Sequence, residues 1–285
     1  MQMKLLLLLI FPCLCLGAIF EDDSRFEARL EGSHEIMDLS KSVPAIFRNT
    51  SLKKRGDGDY DSVNWSSDNL GFCADTKFAG QPHLANCSAS LIAPDIILTA
   101  AHCVDDAKKG CGDFKIVFDY AIGEDLKIIK KELVYECKKV LYHNFDPTMQ
   151  ADDIAIVQID RKVTDRRPVK ISKAYLELNE ELTMIGYPLG LPQKADEQGR
   201  TSTIDRTNKS FKHNIDTFSC NSGGPIFNKK GEQVGVLVRG TGSNQSQREG
   251  DNCMDWTVAK EQDYAEANSL VHLKKTLKSL GIKQQ

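Results

Sequence analysis

Three short segments carry side chains that together could perform nucleophilic chemistry: LTAAHC at 98–103, DDIAIV at 152–157 and CNSGGP at 220–225. A serine hydroxyl is a poor nucleophile near neutral pH and needs a positioned base to take its proton. His102 offers an imidazole whose ordinary pKa suits that task. Asp153 opens the apolar run IAIV, which would set its carboxylate at the rim of a core, where it can fix the imidazole tautomer and stabilise the imidazolium. Asp152 is its obvious competitor. Ser222 is followed by Gly223 and Gly224, which let the backbone turn sharply and a substrate come close. The backbone N–H groups of Cys220 and Ser222 are candidates for an oxyanion hole, worth roughly 3–4 kcal/mol per donor. The other histidines, His34, His83, His143, His213 and His272, lack such a context and read as surface or structural.

The elements that must position these residues are mostly strands. From Cys87 onward the chain runs through short β-rich stretches broken by turn signals: SASLIA, DIILTA, FKIVFDY, DLKIIK, DIAIVQID, LTMIGY, PIFN and EQVGVLV. Many short strands without long intervening helices argue for a sandwich or barrel. SVPAIF at 42–47 is a candidate first strand. Only the end looks helical: Leu270, Leu273, Leu277 and Leu280 recur at helical spacing before a stop at Gly281, so a helix is expected over about 263–280. No internal repeat is evident.

The chain has 285 residues, 41% hydrophobic and 27% charged, which is the composition of an ordinary globular protein with a sizeable core. A net charge of −3 provides no basic field for nucleic acid or anionic lipid. The opening MQMKLLLLLIFPCLCLGAIF has Lys4, an apolar run from Leu5 to Leu16 and small residues at Gly17 and Ala18, the pattern of a signal peptide over 1–18. Its apolar run is too short for an anchor, which implies a secreted protein, extracellular or periplasmic, with no membrane anchor after cleavage. Residues 19–40 are acidic and aperiodic, like a leader or propeptide. KKR at 53–55, followed by GDGD, reads as an exposed loop or a processing site, outside the core in either case. Export makes the seven cysteines beyond the signal segment bridge candidates before metal ligands; their odd number leaves at least one over, and no CxxC pair suggests a metal site.

The three motifs resemble those of trypsin-like serine peptidases, whose patterns are TAAHC, a DIAL-type strand and GDSGGP, in the same His, Asp, Ser order. The finer resemblance is to bacterial trypsin-like and glutamyl-endopeptidase (V8-like) relatives with GNSGSP-type serine motifs. It rests on Asn221, GYPLGLPQK at 186–194, DTF at 216–218 and VGVLVRG at 234–240, and the similarity covers roughly residues 40–260. The resemblance implies an all-β fold of two packed six-stranded antiparallel β-barrels, spanning 41–285 with a boundary near 145–165, an active-site cleft between the barrels and a C-terminal α-helix. It further implies a monomeric serine endopeptidase that cleaves peptide or protein substrates through an acyl-enzyme without cofactor or metal. The alternative is a catalytically silent homologue acting as a binding module.

Departures from the family pattern accompany the likeness. No IVGG-type segment precedes LTAAHC, and Asn221 is a neutral amide where family members activated by cleavage have an aspartate that pairs with the new amino terminus. If processing occurs, KKR is the candidate site. Cys220 replaces a glycine that shapes the oxyanion hole, and its side chain restricts φ. The resemblance implies a Cys87–Cys103 bridge beside the histidine. Cys220 either bridges to Cys253 or leaves a thiol beside the nucleophile, open to oxidation. Cys111 is assigned to Cys137, and Cys73 is left without a partner. The substrate pocket falls on Asp216, Thr217, Val238, Arg239 and Gly240. There Asp216 either selects Lys or Arg at P1 or is neutralised by Arg239, while Leu237 stands where glutamate-selecting relatives carry histidine. Acceptor sequences for N-glycosylation occur at Asn49, Asn64, Asn86, Asn208 and Asn244, and matter only if the source glycosylates secreted proteins.

Overall fold

Alternation of apolar side chains along the strands builds two barrels and a shared core between them. In the computed structural model, which describes residues 17–63, 70–104, 111–145, 152–207 and 209–283, the strand Ile154–Ile159 shows how. Ala155, Val157 and Ile159 point into one apolar cluster with Leu91, Ile97 and Ile116, while Ile154 and Ile156 join a second with Tyr120, Tyr187 and Val236. Successive side chains of a strand leave on opposite faces, so a strand buried on both reads as a continuous apolar run. The strand Gln233–Gly240 is also buried on both faces, with a bulge at Val234 that breaks strict alternation: Val234 and Leu237 fill a third cluster with Phe211 and Ile226, and Val236 and Val238 face the shared core.

The first sheet is an open row of seven segments in the order 87–88, 45–48, 114–117, 134–144, 154–159, 96–99 and 90–93. Its long strand Val134–Asn144 pairs with Phe114–Val117 near one end and with Ile154–Ile159 along the rest, with register shifts that curl the sheet toward closure. The second sheet is a closed ring of six, 194–204, 181–186, 225–228, 233–240, 265–269 and 210–213, with Phe26–Glu27 added as a seventh strand at its rim. The two barrels expected from the sequence are both present. The chain leaves the first barrel after Ile159 and enters the second at Glu181.

Two expectations are corrected. The helix is confined to Leu273–Ser279, because Ala265–Ser269 is a fully buried strand that closes the second barrel against Ser210–His213 and Gln233–Gly240. The helix does stop at Gly281: this residue has φ +71°, its N–H bonds the Lys278 carbonyl, and the Ile282 N–H bonds that of Leu277, a Schellman cap. Residues 19–40 are not a detached leader. Ile19, Arg25, Ala28 and Ile36 are buried, Phe26–Glu27 pairs with Ala195 and Lys194, and His34–Ser40 is a helix capped by the Ser33 hydroxyl. The KKR stretch lies in a hairpin of Leu52–Lys54 with Tyr60–Ser62; Lys53 and Lys54 are exposed, but Leu52 and Tyr60 reach the shared core. Residues 1–16, and with them most of the expected signal peptide, lie outside the described residues, as do Asn64 and Asn208.

His213, on the ring strand Ser210–His213, is fully buried, and burial pushes its imidazole down to about 3 from the usual 6.5. Its folded pKa lies below its unfolded one, so the stability tied to the neutral ring is complete above about pH 6.5 and is lost as the pH falls toward 3. Urea midpoints measured across this window are expected to fall, and to fall less steeply in His213→Leu. Equal slopes for the two proteins would refute the assignment.

Candidate active site

Strand register brings His102 and Asp153 to one end of the first barrel. Ala155 pairs with Thr99 in antiparallel strands, so the chain leaving Ile96–Thr99 and the chain entering Ile154–Ile159 meet at the same edge. His102 follows on a 3-10 turn at 101–104. Its Nδ1 lies 2.5 Å from Asp153 Oδ2, and its backbone N–H donates to Asp153 Oδ1 at 2.9 Å. Asp153, rather than Asp152, therefore meets the imidazole, and both of its oxygens are used in fixing it. From the second barrel, Asn268 Oδ1 accepts the Asp153 N–H at 2.7 Å. The Cys87–Cys103 disulfide packs beside the ring, with both sulfurs within 4.8 Å of a His102 nitrogen. On another side, Phe145 lies 6.3 Å from the imidazole, centroid to centroid.

Ser222 sits on the loop that leads into Pro225–Asn228 and is fully buried; its hydroxyl makes no hydrogen bond among the described residues. The loop is sewn to the first barrel by Ser88, which sequence reasoning missed. The Ser88 N–H donates to the Ser222 carbonyl at 2.8 Å, its Oγ donates to the Cys220 carbonyl at 3.1 Å, and its own carbonyl accepts Thr99 Oγ1 at 2.7 Å. Cys103 Sγ lies 3.5 Å from the Ser222 carbonyl, so the serine loop abuts the histidine turn. Gly223, at φ +82°, leaves no room for a side chain: a Cβ would fall 2.2 Å from the Ser88 carbonyl. The signals for Ser88 and Asn268 are tertiary. Neither stands in a motif; each matters through a partner 134 or 115 residues away.

Cys220 adopts φ +70°, the left-handed region that a glycine would take without cost and a side-chain-bearing residue pays about 1 kcal/mol or more to enter. The Ser219 carbonyl is bonded by the Leu189 N–H at 2.6 Å, and a trans peptide turns the Cys220 N–H to the opposite side. Among the described residues Cys220 is in no disulfide. Cys253 bridges Cys73 instead, which corrects the expected Cys220–Cys253 pair and supplies the partner that Cys73 lacked; Cys111 bridges Cys137 as assigned.

The expected pocket is rearranged. Arg239 makes a two-pronged ion pair with Glu266, both contacts 2.9 Å, and does not neutralise Asp216. Asp216 is buried, and its oxygens accept the Phe20 N–H at 2.7 Å and the Ser24 N–H at 3.0 Å. Burial, with Asp196 nearby, pushes its carboxyl up to about 7, which weakens it as a selector of cations. Thr217 is buried and bridged to Ala18, while Val238 is core; Arg239 and Gly240 stay partly exposed at the end of their strand.

A family model described as trypsin-like peptidase domain matches residues 87–236, just over half of the chain. Among solved structures the chain is similar to a Glu endopeptidase in complex with MPD, with TM-score 0.55, 14% identity, 93% of this chain and 100% of that one covered. It is also similar to the Vibrio cholerae VesB protease, with TM-score 0.54 and 15% identity over 90% of this chain. This match spans only 66% of the VesB chain, just under two thirds. A third is neuropsin, a serine protease of mouse brain, with TM-score 0.53, 13% identity, and 84% and 94% covered. These likenesses share the fold. With the family match, they make the chain a member of the trypsin-like peptidase family, built on two β-barrels.

Proposed function

We propose that the chain hydrolyses peptide bonds through an acyl-enzyme, with Ser222 as nucleophile, His102 as general base and then general acid, and Asp153 holding the imidazole. The observation that carries this reading is the double contact between Asp153 and His102, at 2.5 and 2.9 Å, on a turn that abuts the serine loop. Asp153 accepts a hydrogen bond from the Nδ1–H and keeps that proton on Nδ1, which leaves the Nε2 lone pair to accept the Ser222 proton as Oγ attacks the scissile carbonyl. Charge collects on the carbonyl oxygen, where the Cys220 and Ser222 N–H groups would receive it. His102 then passes the proton to the departing amine, and water, deprotonated by the same imidazole, releases the acyl group and restores Ser222.

Export fits the same reading. Three disulfides within the fold suit an oxidising compartment, and the signal-like residues 1–18 suit delivery to it. The deciding experiment incubates the processed protein with a fluorophosphonate probe. Covalent labelling is expected in the native protein and absent in Ser222→Ala. A folded native protein that does not label would leave the silent, binding-module reading in its place.

A further inference from the structure

The serine loop has to hold two N–H groups in fixed directions, and the neutral Asn221 cannot receive a new amino terminus as an ion pair. The space behind the loop is filled instead by residues 19–27. This strap is tied at both ends: the Ile19 N–H donates to the Thr257 carbonyl and the Ala259 N–H to that of Ile19, while Phe26 pairs with Ala195. Between these ends Asp216 accepts the Phe20 and Ser24 N–H groups, and Asp196 accepts both Ser24 Oγ at 2.7 Å and the Asp216 N–H at 2.8 Å. Arg25 is 1% exposed, its guanidinium 4.4 Å from the Phe218 ring centre and 4.2 Å from that of Trp256. Its Nε and Nη2 grip Asp23 at 2.8 and 2.7 Å. Its remaining nitrogen, Nη1, and the Asn221 amide oxygen are both buried without a partner among the described residues, and both residues line one cavity of 10 Å³. A donor and an acceptor thus share a space that fits about one water.

We propose that residues 19–27 are a permanent brace for the serine loop, with Asp216 as its anchor and Arg25 as a positioning residue that holds Asn221 through one water in the shared cavity. Asn221 lies mid-loop, its N–H on the Phe218 carbonyl and its carbonyl on the Gly224 N–H, so fixing its side chain fixes the peptides on either side of Ser222. Its amide oxygen lies so close to Gly186 that a Cβ there would approach to 2.7 Å, which limits where the amide can turn. The brace sets the oxyanion backbone without cleavage after Arg55, and it commits Asp216 to the strap rather than to a P1 side chain. The inference rests on Ser222 as nucleophile only where turnover is the readout.

The test therefore uses two readouts. In the processed chain carrying Ser222→Ala, where turnover plays no part, Arg25→Met is expected to speed amide exchange over 217–224 about tenfold or more while the first barrel keeps its protection. In the active chain, Arg25→Met and Asn221→Ala are each expected to lower kcat roughly 10- to 100-fold with KM nearly unchanged. The double variant should fall no further than the worse single one, because both changes break the same bridge. Arg25→Lys, which keeps the charge facing Asp23 but not the fork, should stay impaired. Unchanged exchange, or a double variant whose loss equals the product of the singles, would overturn the proposal. If Arg25→Met does not fold, Asn221→Ala leaves the strap's contacts in place and decides alone by the same two readouts. Failure to label Ser222 would strike the reaction and leave the exchange result standing.

Discussion

Asp153→Asn is expected to lower kcat about 10⁴-fold while the protein still folds. Asp153 Oδ1 accepts the His102 backbone N–H at 2.9 Å, and the amide oxygen of asparagine can keep that bond. The Asp153 N–H remains on Asn268, so the entry to the strand Ile154–Ile159 is unchanged. The loss falls on the other oxygen. Oδ2 now accepts the Nδ1 proton at 2.5 Å; an amide nitrogen in its place donates, forcing the proton onto Nε2, which can then no longer accept the one leaving Ser222. Steady-state kinetics on a peptide ester, with far-UV dichroism as a check on folding, would measure the effect. A loss below about tenfold in folded protein would show that Asp153 does not select the tautomer.

The residues of this test were legible because each sits in a local motif, and the register of two apolar strands was enough to join them. Strands that are buried on both faces announced themselves as apolar runs, as in IAIVQI and VGVLV. The elements that went unseen owe their burial to distant polar partners. Lys194–Ile204 begins with a buried lysine whose ammonium is satisfied by Glu27, Gln81 and the Pro192 carbonyl, none of which is near it in a pattern except the last. Val134–Asn144 carries Lys138 and Lys139 in the stretch where its register shifts, which breaks the alternation a reader would count. Ala265–Ser269 has too few apolar side chains to look like a strand, yet Glu266 is satisfied by Arg239 and Asn268 by the Asp153 N–H. The same cause hid the strap: Arg25 in an acidic stretch looks solvated until Asp23, Phe218 and Trp256 surround it. The Cys73–Cys253 bridge spans 180 residues, and connectivity over such a distance follows from the fold alone.

Gly223→Ala is expected to cost both stability and activity. The residue has φ +82°, where an alanine pays about 1–2 kcal/mol. Its Cβ would also lie 2.1 Å from Thr99 Oγ1, 2.2 Å from the Ser88 carbonyl and 3.0 Å from the Ala100 backbone nitrogen. Two of these are backbone atoms of the first barrel, so relief requires the barrels to part where His102 and Ser222 must meet. Overpacking of this kind costs about 1–3 kcal/mol more. Together the terms come to roughly 2–5 kcal/mol, or a fall in melting temperature of about 3–9 °C at this chain length. Activity should fall further than stability, about 10²-fold or more per folded molecule, because a shift near 1 Å between nucleophile and base is enough to remove a productive geometry. Calorimetry and active-site titration with the fluorophosphonate separate the two effects. A melting temperature within a degree or two of the native value, with full labelling, would mean that the serine loop can retreat from Ser88 and that the contact between barrels does not set the site.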